Sequence, residues 1–315
     1  MKQVDANFSR RRFLQGSASA AVGLGLAGRA IAAGSEQAAS AGTATSVDAA
    51  KAEAVLGGRI YKAAKWQMIE VDGGLVDKFR LQKELGYDGM ELISPFEFSA
   101  AEVRAASEAT GMPVHGVVDM KHWEIRLSSP DPAVRAEGVG YLEQAIRDSK
   151  AFGGDTVLLV PGRVGEGESH DEVWDRSIVE IRKVLPLSSK LGVRVLIENV
   201  WNGFCETPEQ YRDYVDAIDS PWVGAYFDIG NCRKFGKSED WVRTLGPRIV
   251  KLDCKDWSQS GGFGKIGDGA VDWPAVRQAL AEIGFTGWCT AEVQGGGRDE
   301  LADIAARMNR VLQLG

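Results

Sequence analysis

The chain has 315 residues, 26% of them charged, and a formal net charge of −7. An acidic balance of that size argues against a nucleic-acid partner. Its four cysteines, Cys205, Cys232, Cys254 and Cys289, form no CxxC pair, which argues against a zinc ribbon.

Residues 9–14 read SRRRFL, which matches the twin-arginine export pattern. A Gly/Ala-rich stretch follows that is too short and too weakly apolar to anchor stably in a membrane. AIAAG then offers a small-residue cleavage site. A twin-arginine signal peptide is therefore expected over 1–33, with a periplasmic or otherwise exported mature protein. Residues 34–56 are rich in Ala, Ser, Thr and Gly and read as a flexible linker.

From there short apolar runs alternate with amphipathic stretches. Strands are predicted at 59–69, 87–93, 113–119, 156–162, 193–199, 223–231, 249–256 and 287–293. Helices are predicted at 75–86, 99–111, 129–153, 171–192, 207–218, 238–246, 272–284 and 298–312. The helix at 99–111 has a Ser cap and a Gly stop. Strict alternation implies a parallel sheet. Eight units over about 255 residues match a single-domain α/β fold, the (β/α)8 TIM barrel, over 57–315. A doubly wound open sheet is the rival, but no Gly-rich phosphate turn follows the first strand. Cys254 and Cys289 sit in apolar strands and read as small buried hydrophobes. Cys205 and Cys232 fall in loops, where an oxidising compartment would permit a disulfide; the sequence leaves that pairing open.

Active sites of such barrels lie at the C-terminal ends of the strands. Strand five ends in Glu198-Asn199, and strand six in Asp228 before Ile-Gly-Asn231. Strand seven carries Asp253 and then Lys255-Asp256, and strand eight carries Glu292. One acid at a strand end is ordinarily a cap or a salt-bridge partner. Four on successive strands would converge and repel, unless a hard divalent cation such as Mn²⁺ or Mg²⁺ lies between them. The charges of strand seven are thus expected at the rim, facing that cation.

The segments IENVWN (197–202), YFDIGN (226–231), KLDCKD (251–256), GDGAVDW (267–273) and TAEV (290–293) resemble the xylose isomerase-like barrels of the sugar isomerase/epimerase superfamily. The resemblance spans residues 59–312 and implies one divalent metal held by Glu198, Asp228, Asp253 and Glu292. Three positions depart from the family pattern, two of them on strand seven, where it usually reads His-x-His-x-Lys-Asp. Asp253 stands in for the metal-binding His and Lys251 for the other, and Asn231 stands where many sugar epimerases carry a substrate-binding His. The all-oxygen donor set favours Mn²⁺ or Mg²⁺ over Zn²⁺.

By that resemblance a ketose or hydroxy-carbonyl sugar would chelate the metal, which polarises the carbonyl and stabilises an enediolate. Glu198 and Glu292 would flank it as acid and base. Lys255 would stabilise the oxyanion, or else pair with Asp256. Asn231, His122, Trp66, Trp201 and Glu206 complete the expected substrate contacts. For Glu206 the spacing to the family's second substrate-contacting Glu is off. Trp66, Trp201 and Trp257 read equally as a stacking shelf and as core. His115 and His122 are expected near the pocket mouth, His170 at the surface, and the 267–273 loop as structural. Three function classes follow: a sugar isomerase or epimerase, a lyase eliminating an aglycone from a 3-oxo-glycoside, and a sugar-binding barrel with reduced turnover. The expected partner is a small sugar, with no nucleic acid and no membrane anchor; a homo-oligomer is compatible with the reading.

Overall fold

A computed structural model describes residues 60–314; the expected signal peptide and linker lie outside the described residues. Eight parallel strands close into a barrel, each hydrogen-bonded to the barrel strand before and after it in the chain and the last to the first. They are β1 (Ile60–Lys65), β2 (Gly89–Ser94), β3 (Val114–Asp119), β4 (Thr156–Leu159), β5 (Arg194–Glu198), β6 (Val223–Asp228), β7 (Ile249–Cys254) and β10 (Gly287–Ala291). Around them run α1 (Leu75–Glu84), α2 (Ala100–Thr110), α3 (Pro132–Phe152), α4 (His170–Leu191), α5 (Pro208–Ile218), α6 (Ser238–Leu245), α7 (Trp273–Glu282) and α8 (Arg298–Leu312). The expected (β/α)8 barrel is what forms.

Local chemistry sets the helix ends. Ser99, Ser169 and Thr207 each accept a hydrogen bond from the backbone N–H three residues on, closing capping boxes at α2, α4 and α5. Gly111, Gly153 and Gly192 stop α2, α3 and α4 in the left-handed conformation. The main core lies between strands and helices, where Phe79, Leu142, Ile181, Tyr214 and Leu280 are buried. Inside the barrel the apolar filling is small: Val118, Leu158, Leu196 and Tyr226. Branched aliphatic layers usually fill such a barrel; here charged groups take much of that space.

The strands expected over 59–69, 156–162 and 223–231 end early, at Lys65, Leu159 and Asp228, and one further region departs from the expected pattern. The strand predicted over 249–256 ends at Cys254, and a two-stranded antiparallel hairpin follows, β8 (Asp256–Ser258) with β9 (Gly262–Gly264). Alternation continues across Lys255, so a single strand was the natural reading; the break is set by where the barrel ladder ends. No helix among the described residues is long and apolar enough to cross a membrane. The four cysteines are free thiols and all are buried, so Cys205 and Cys232 do not pair.

Candidate active site

Glu198 ends β5, Asp228 ends β6, Asp253 lies in β7, and Glu292 directly follows β10. Each offers a carboxylate oxygen, and these four oxygens lie within 4.8 Å of one another. Donors on opposite sides of one hard cation stand about 4–5 Å apart, twice a metal–oxygen bond. Asp253 Oδ1 is buried with no hydrogen-bond partner. Asp228 Oδ2 receives no well-aligned hydrogen bond either, although Lys255 Nζ lies 3.2 Å away. Buried oxygens are seldom left unmatched. Four carboxylates with two unmatched oxygens therefore fit a hard divalent cation.

Backbone geometry fixes these acids. Asn199 Nδ2 donates to the Asp228 carbonyl at 3.0 Å, and the Asp228 N–H donates to Asn199 Oδ1 at 2.8 Å, tying the ends of β5 and β6 together. Asp228 Oδ1 accepts the N–H groups of Gly230 and Asn231, both at 2.8 Å. A side chain at position 230 would run into the Lys255 backbone, with the carbonyl carbon 2.8 Å from its Cβ. The glycine of YFDIGN is therefore a close-approach requirement between the turn after β6 and the end of β7.

Two lysines enter the cluster. Lys255 Nζ contacts Asp228 and, at 2.8 Å, Glu292 Oε2. Lys65, the last residue of β1, contacts Asp253 Oδ2 at 2.9 Å and Glu292 Oε1 at 3.0 Å. Glu292 is clamped from both sides, whereas Glu198 alone of the four has no lysine among the described residues within ion-pair distance. Burial, and then the neighbouring Glu292, hold the Glu198 carboxyl well above the usual range. Burial pushes Glu292 the same way, but Lys255 and Lys65 outweigh it and hold that carboxyl well below. Burial raises Asp228 to about 6. These opposed environments give the two glutamates different electrostatic characters.

The charges of β7 and the residues after it separate into three groups. Asp253 and Lys255 face the cluster as expected. Lys251 does not: its ammonium bonds the His115 carbonyl at 2.6 Å, Thr156 Oγ1 at 2.7 Å and Asp155 Oδ1 at 3.2 Å. Asp155 precedes β4 and its side chain is 72% exposed, so Lys251 points to the opposite end of the barrel. Asp256 accepts hydrogen bonds from the N–H groups of Trp257, Gly267 and Val271 and from Trp273 Nε1, at 2.9–3.2 Å. It anchors the 267–273 loop, and Lys255 pairs with the cluster instead of with it.

The remaining candidates are scattered. His122 is buried beside the cluster; its Nδ1 accepts the Val160 N–H at 3.1 Å, and burial followed by Lys65 lowers its pKa to about 3. The ring is neutral, with its hydrogen on Nε2. His115 lies lower in the barrel, stacked on Trp288 at 4.6 Å and bonded to Lys251, away from the expected pocket mouth. His170 is not a bare surface residue: it starts α4 and packs on Phe204 at 4.8 Å. Asn231 spends its amide on the Asn199 carbonyl at 2.9 Å and on Lys255 at 3.4 Å. Trp66 is packed edge-on to Phe96 and Phe98. Glu206 sits in the loop after β5, outside the four-carboxylate group.

Trp201 stands at the rim, its indole N–H donating to the Asn231 carbonyl at 2.7 Å. It meets Trp257 at 5.6 Å and Phe263 at 4.6 Å. Phe263, on β9, lies 4.9 Å from Lys255 Nζ and is 37% exposed. The hairpin therefore carries an aromatic wall to the edge of the cluster. Phe263 was hidden because its strand was not expected. Lys65 carries a readable signal: a lysine ends a buried strand at the same rim.

A (β/α)8 barrel with an acidic rim cluster defines the class, and the sequence confirms it: residues 79–312 match the xylose isomerase-like TIM barrel profile, and the chain belongs to that family. The L-ribulose-5-phosphate 3-epimerase UlaE of Escherichia coli is 25% identical over 226 residues, covering 67% of this chain and 79% of its own. Among solved structures, the D-allulose 3-epimerase of Methylomonas sp., crystallised with D-allulose, superposes with a TM-score of 0.67 at 18% identity, covering 80% of this chain and 96% of its own. The 3-keto-D-glucoside 4-epimerase YcjR of E. coli gives a TM-score of 0.68 at 15% identity, covering 81% of this chain and 100% of its own. These relatives and neighbours are isomerase-class enzymes acting on sugars.

Proposed function

We propose that this protein is a divalent-cation-dependent sugar isomerase or epimerase acting on a ketose or a related sugar derivative. The observation that carries this reading is the convergence of Glu198, Asp228, Asp253 and Glu292 within 4.8 Å, with unmatched oxygens among them. Those four residues would hold one ion, Mn²⁺ or Mg²⁺ on the chemistry of an all-oxygen set. A bound ion would polarise the substrate carbonyl and acidify the neighbouring C–H.

The chain's own residues do the rest. Glu198 and Glu292 come from strands separated by β6 and β7 in the barrel, so they reach a bound sugar from different sides. One removes the carbon-bound proton and the other returns one. Lys255, held by Asp228 and Glu292, places an ammonium where negative charge develops on the substrate oxygen. Neutral His122 presents an N–H from the opposite half of the rim. Trp201 and Phe263 offer ring faces to the apolar side of a sugar and exclude water above Lys255.

The test is exchange of carbon-bound hydrogen in deuterated water, across a panel of free ketoses and 3-oxo-glycosides with Mn²⁺ present. Exchange and epimer formation on a free sugar support the reading, and exchange on no member sinks it. The aromatic wall favours one second reading, elimination of an aglycone from a 3-oxo-glycoside, because exposed Phe263 extends the site beyond one sugar ring. Aglycone release in the same panel would select it. Export by the twin-arginine route is proposed because SRRRFL precedes a weakly apolar stretch and AIA, and unchanged export after Arg10→Lys with Arg11→Lys would refute it.

A further inference from the structure

We infer that Lys65 competes with the divalent cation for Asp253 and Glu292, and that Glu91 receives the lysine when the cation binds. The inference rests on the reading of the four carboxylates as a cation site. Lys65 is 5% exposed, and its ammonium lies on two of the four acids. A divalent ion drawing on the same carboxylates would face a like charge at contact range in a buried site. The lysine cannot retreat to water, so it needs a second carboxylate within reach.

Glu91 meets that need. Lys65 and Glu91 are register partners on the parallel strands β1 and β2. Glu91 is fully buried and neither of its oxygens has a well-aligned hydrogen-bond partner, since the Tyr226 hydroxyl near it is engaged with Thr290 Oγ1 at 2.7 Å. Its Oε2 lies 4.0 Å from Lys65 Nζ. Rotation about the last bonds of the lysine side chain closes that gap without moving the backbone. A buried carboxylate with two unmatched oxygens is costly and calls for an explanation; a waiting partner for Lys65 supplies one. Lys255 has no such alternative, since its two carboxylate partners both belong to the cluster. Lys65 is thus a positioning residue that sets how tightly the site holds its cation, and Glu91 is its rest position.

Calorimetric titration of the full chain with Mn²⁺ tests this. Lys65→Met should bind Mn²⁺ at least tenfold more tightly than the wild type, because the competitor is gone. Glu91→Gln should bind at least tenfold more weakly, because the lysine has nowhere to go. In the double variant the Glu91→Gln penalty should vanish. A crystal structure of the Mn²⁺-bound wild type should show Lys65 Nζ within about 3 Å of Glu91. Unchanged or weaker binding by Lys65→Met, or a lysine still seated on Asp253 and Glu292 beside bound Mn²⁺, would overturn the inference. If Lys65→Met does not fold, Glu91→Gln and the Mn²⁺-bound structure decide. Failure of the wild type to bind Mn²⁺ or Mg²⁺ refutes the cation site itself and the inference with it.

Discussion

The two halves of this barrel do different electrostatic work at one rim. The half built from β5, β6, β7 and β10 brings in four carboxylates and Lys255. The half built from β1 to β4 answers with Lys65 from β1, Glu91 behind it on β2, Asp119 at the end of β3 and His122 just beyond. Acids from neighbouring strands are forced together by the closed geometry, and the opposing charge comes from within that half, as Lys255, or has to come from the adjoining strand β1. Lys65 does so, because β1 hydrogen-bonds to β10 and closes the ring. The difference teaches that a cluster read from one half of a barrel is incomplete until the closing strand is included.

The largest expected effect falls on the acidic half. Glu198→Gln should lower turnover on the true substrate by ~10²–10⁴, the typical worth of general acid–base assistance. Hydrogen exchange in deuterated water at saturating Mn²⁺ measures it. Wild-type exchange in this variant would move the proton-transfer role elsewhere. Glu292→Gln should lose at least as much, because it also releases both lysines from their shared partner.

Metal loading probes the cluster as a unit. Mn²⁺ at 100 times its dissociation constant should stabilise the fold by about 2.7 kcal/mol through mass action. For a chain of this size that raises the melting temperature by roughly 5–10 °C. A melting temperature indifferent to both chelator and Mn²⁺ would mean that the two lysines alone neutralise the acids.

Asp256 tests whether a charge adjoining β7 can be purely structural. Asp256→Ala removes the acceptor of four buried or half-buried donors and should cost about 1–3 kcal/mol, read from the urea midpoint. Mn²⁺ affinity should change little, since Asp256 does not belong to the four. A large loss of affinity with unchanged stability would join it to the site after all.

A pH-dependent effect comes from the opposite half. Burial holds the Asp119 carboxyl up to about 7. The unfolded chain releases that proton near 4, so between about 4 and 7 the folded state binds more protons and loses stability as pH rises. A gap of that width is worth at most about 4 kcal/mol. Asp119→Asn keeps the acceptor for the Lys121 N–H, which lies 2.9 Å from Oδ1. It should melt a few degrees above the wild type at pH 8, and the two should converge near pH 4. A constant difference across that range would remove Asp119 as the cause.

Much of the acidic half was readable in one dimension. Glu198, Asp228, Asp253 and Glu292 each fall at or near the end of a largely apolar strand segment, and strand ends share a rim. The opposing half was harder to read because its polar residues do not repeat from strand to strand. Lys65 looked like one more residue of a longer strand, although β1 gives way to a 3-10 turn at Trp66. Phe263 stayed hidden because GGFGK carries little strand signal, and the hairpin forms only against β8.

Alternation of apolar strands with amphipathic helices, capped by Ser or Thr and stopped by Gly, determined a parallel sheet covered by helices, and eight such units with no Gly-rich phosphate turn selected the barrel over an open doubly wound sheet. The same pattern determined which acids reach the rim. Tertiary closure alone decided that Lys251 turns to the bottom of the barrel while Lys255 turns to the cluster. It alone brought Lys65 onto Asp253 and Glu292 and left both oxygens of Glu91 behind it without a hydrogen bond. Those outcomes depend on distances between strands far apart in sequence, and a one-dimensional pattern cannot encode a separation of a few ångströms.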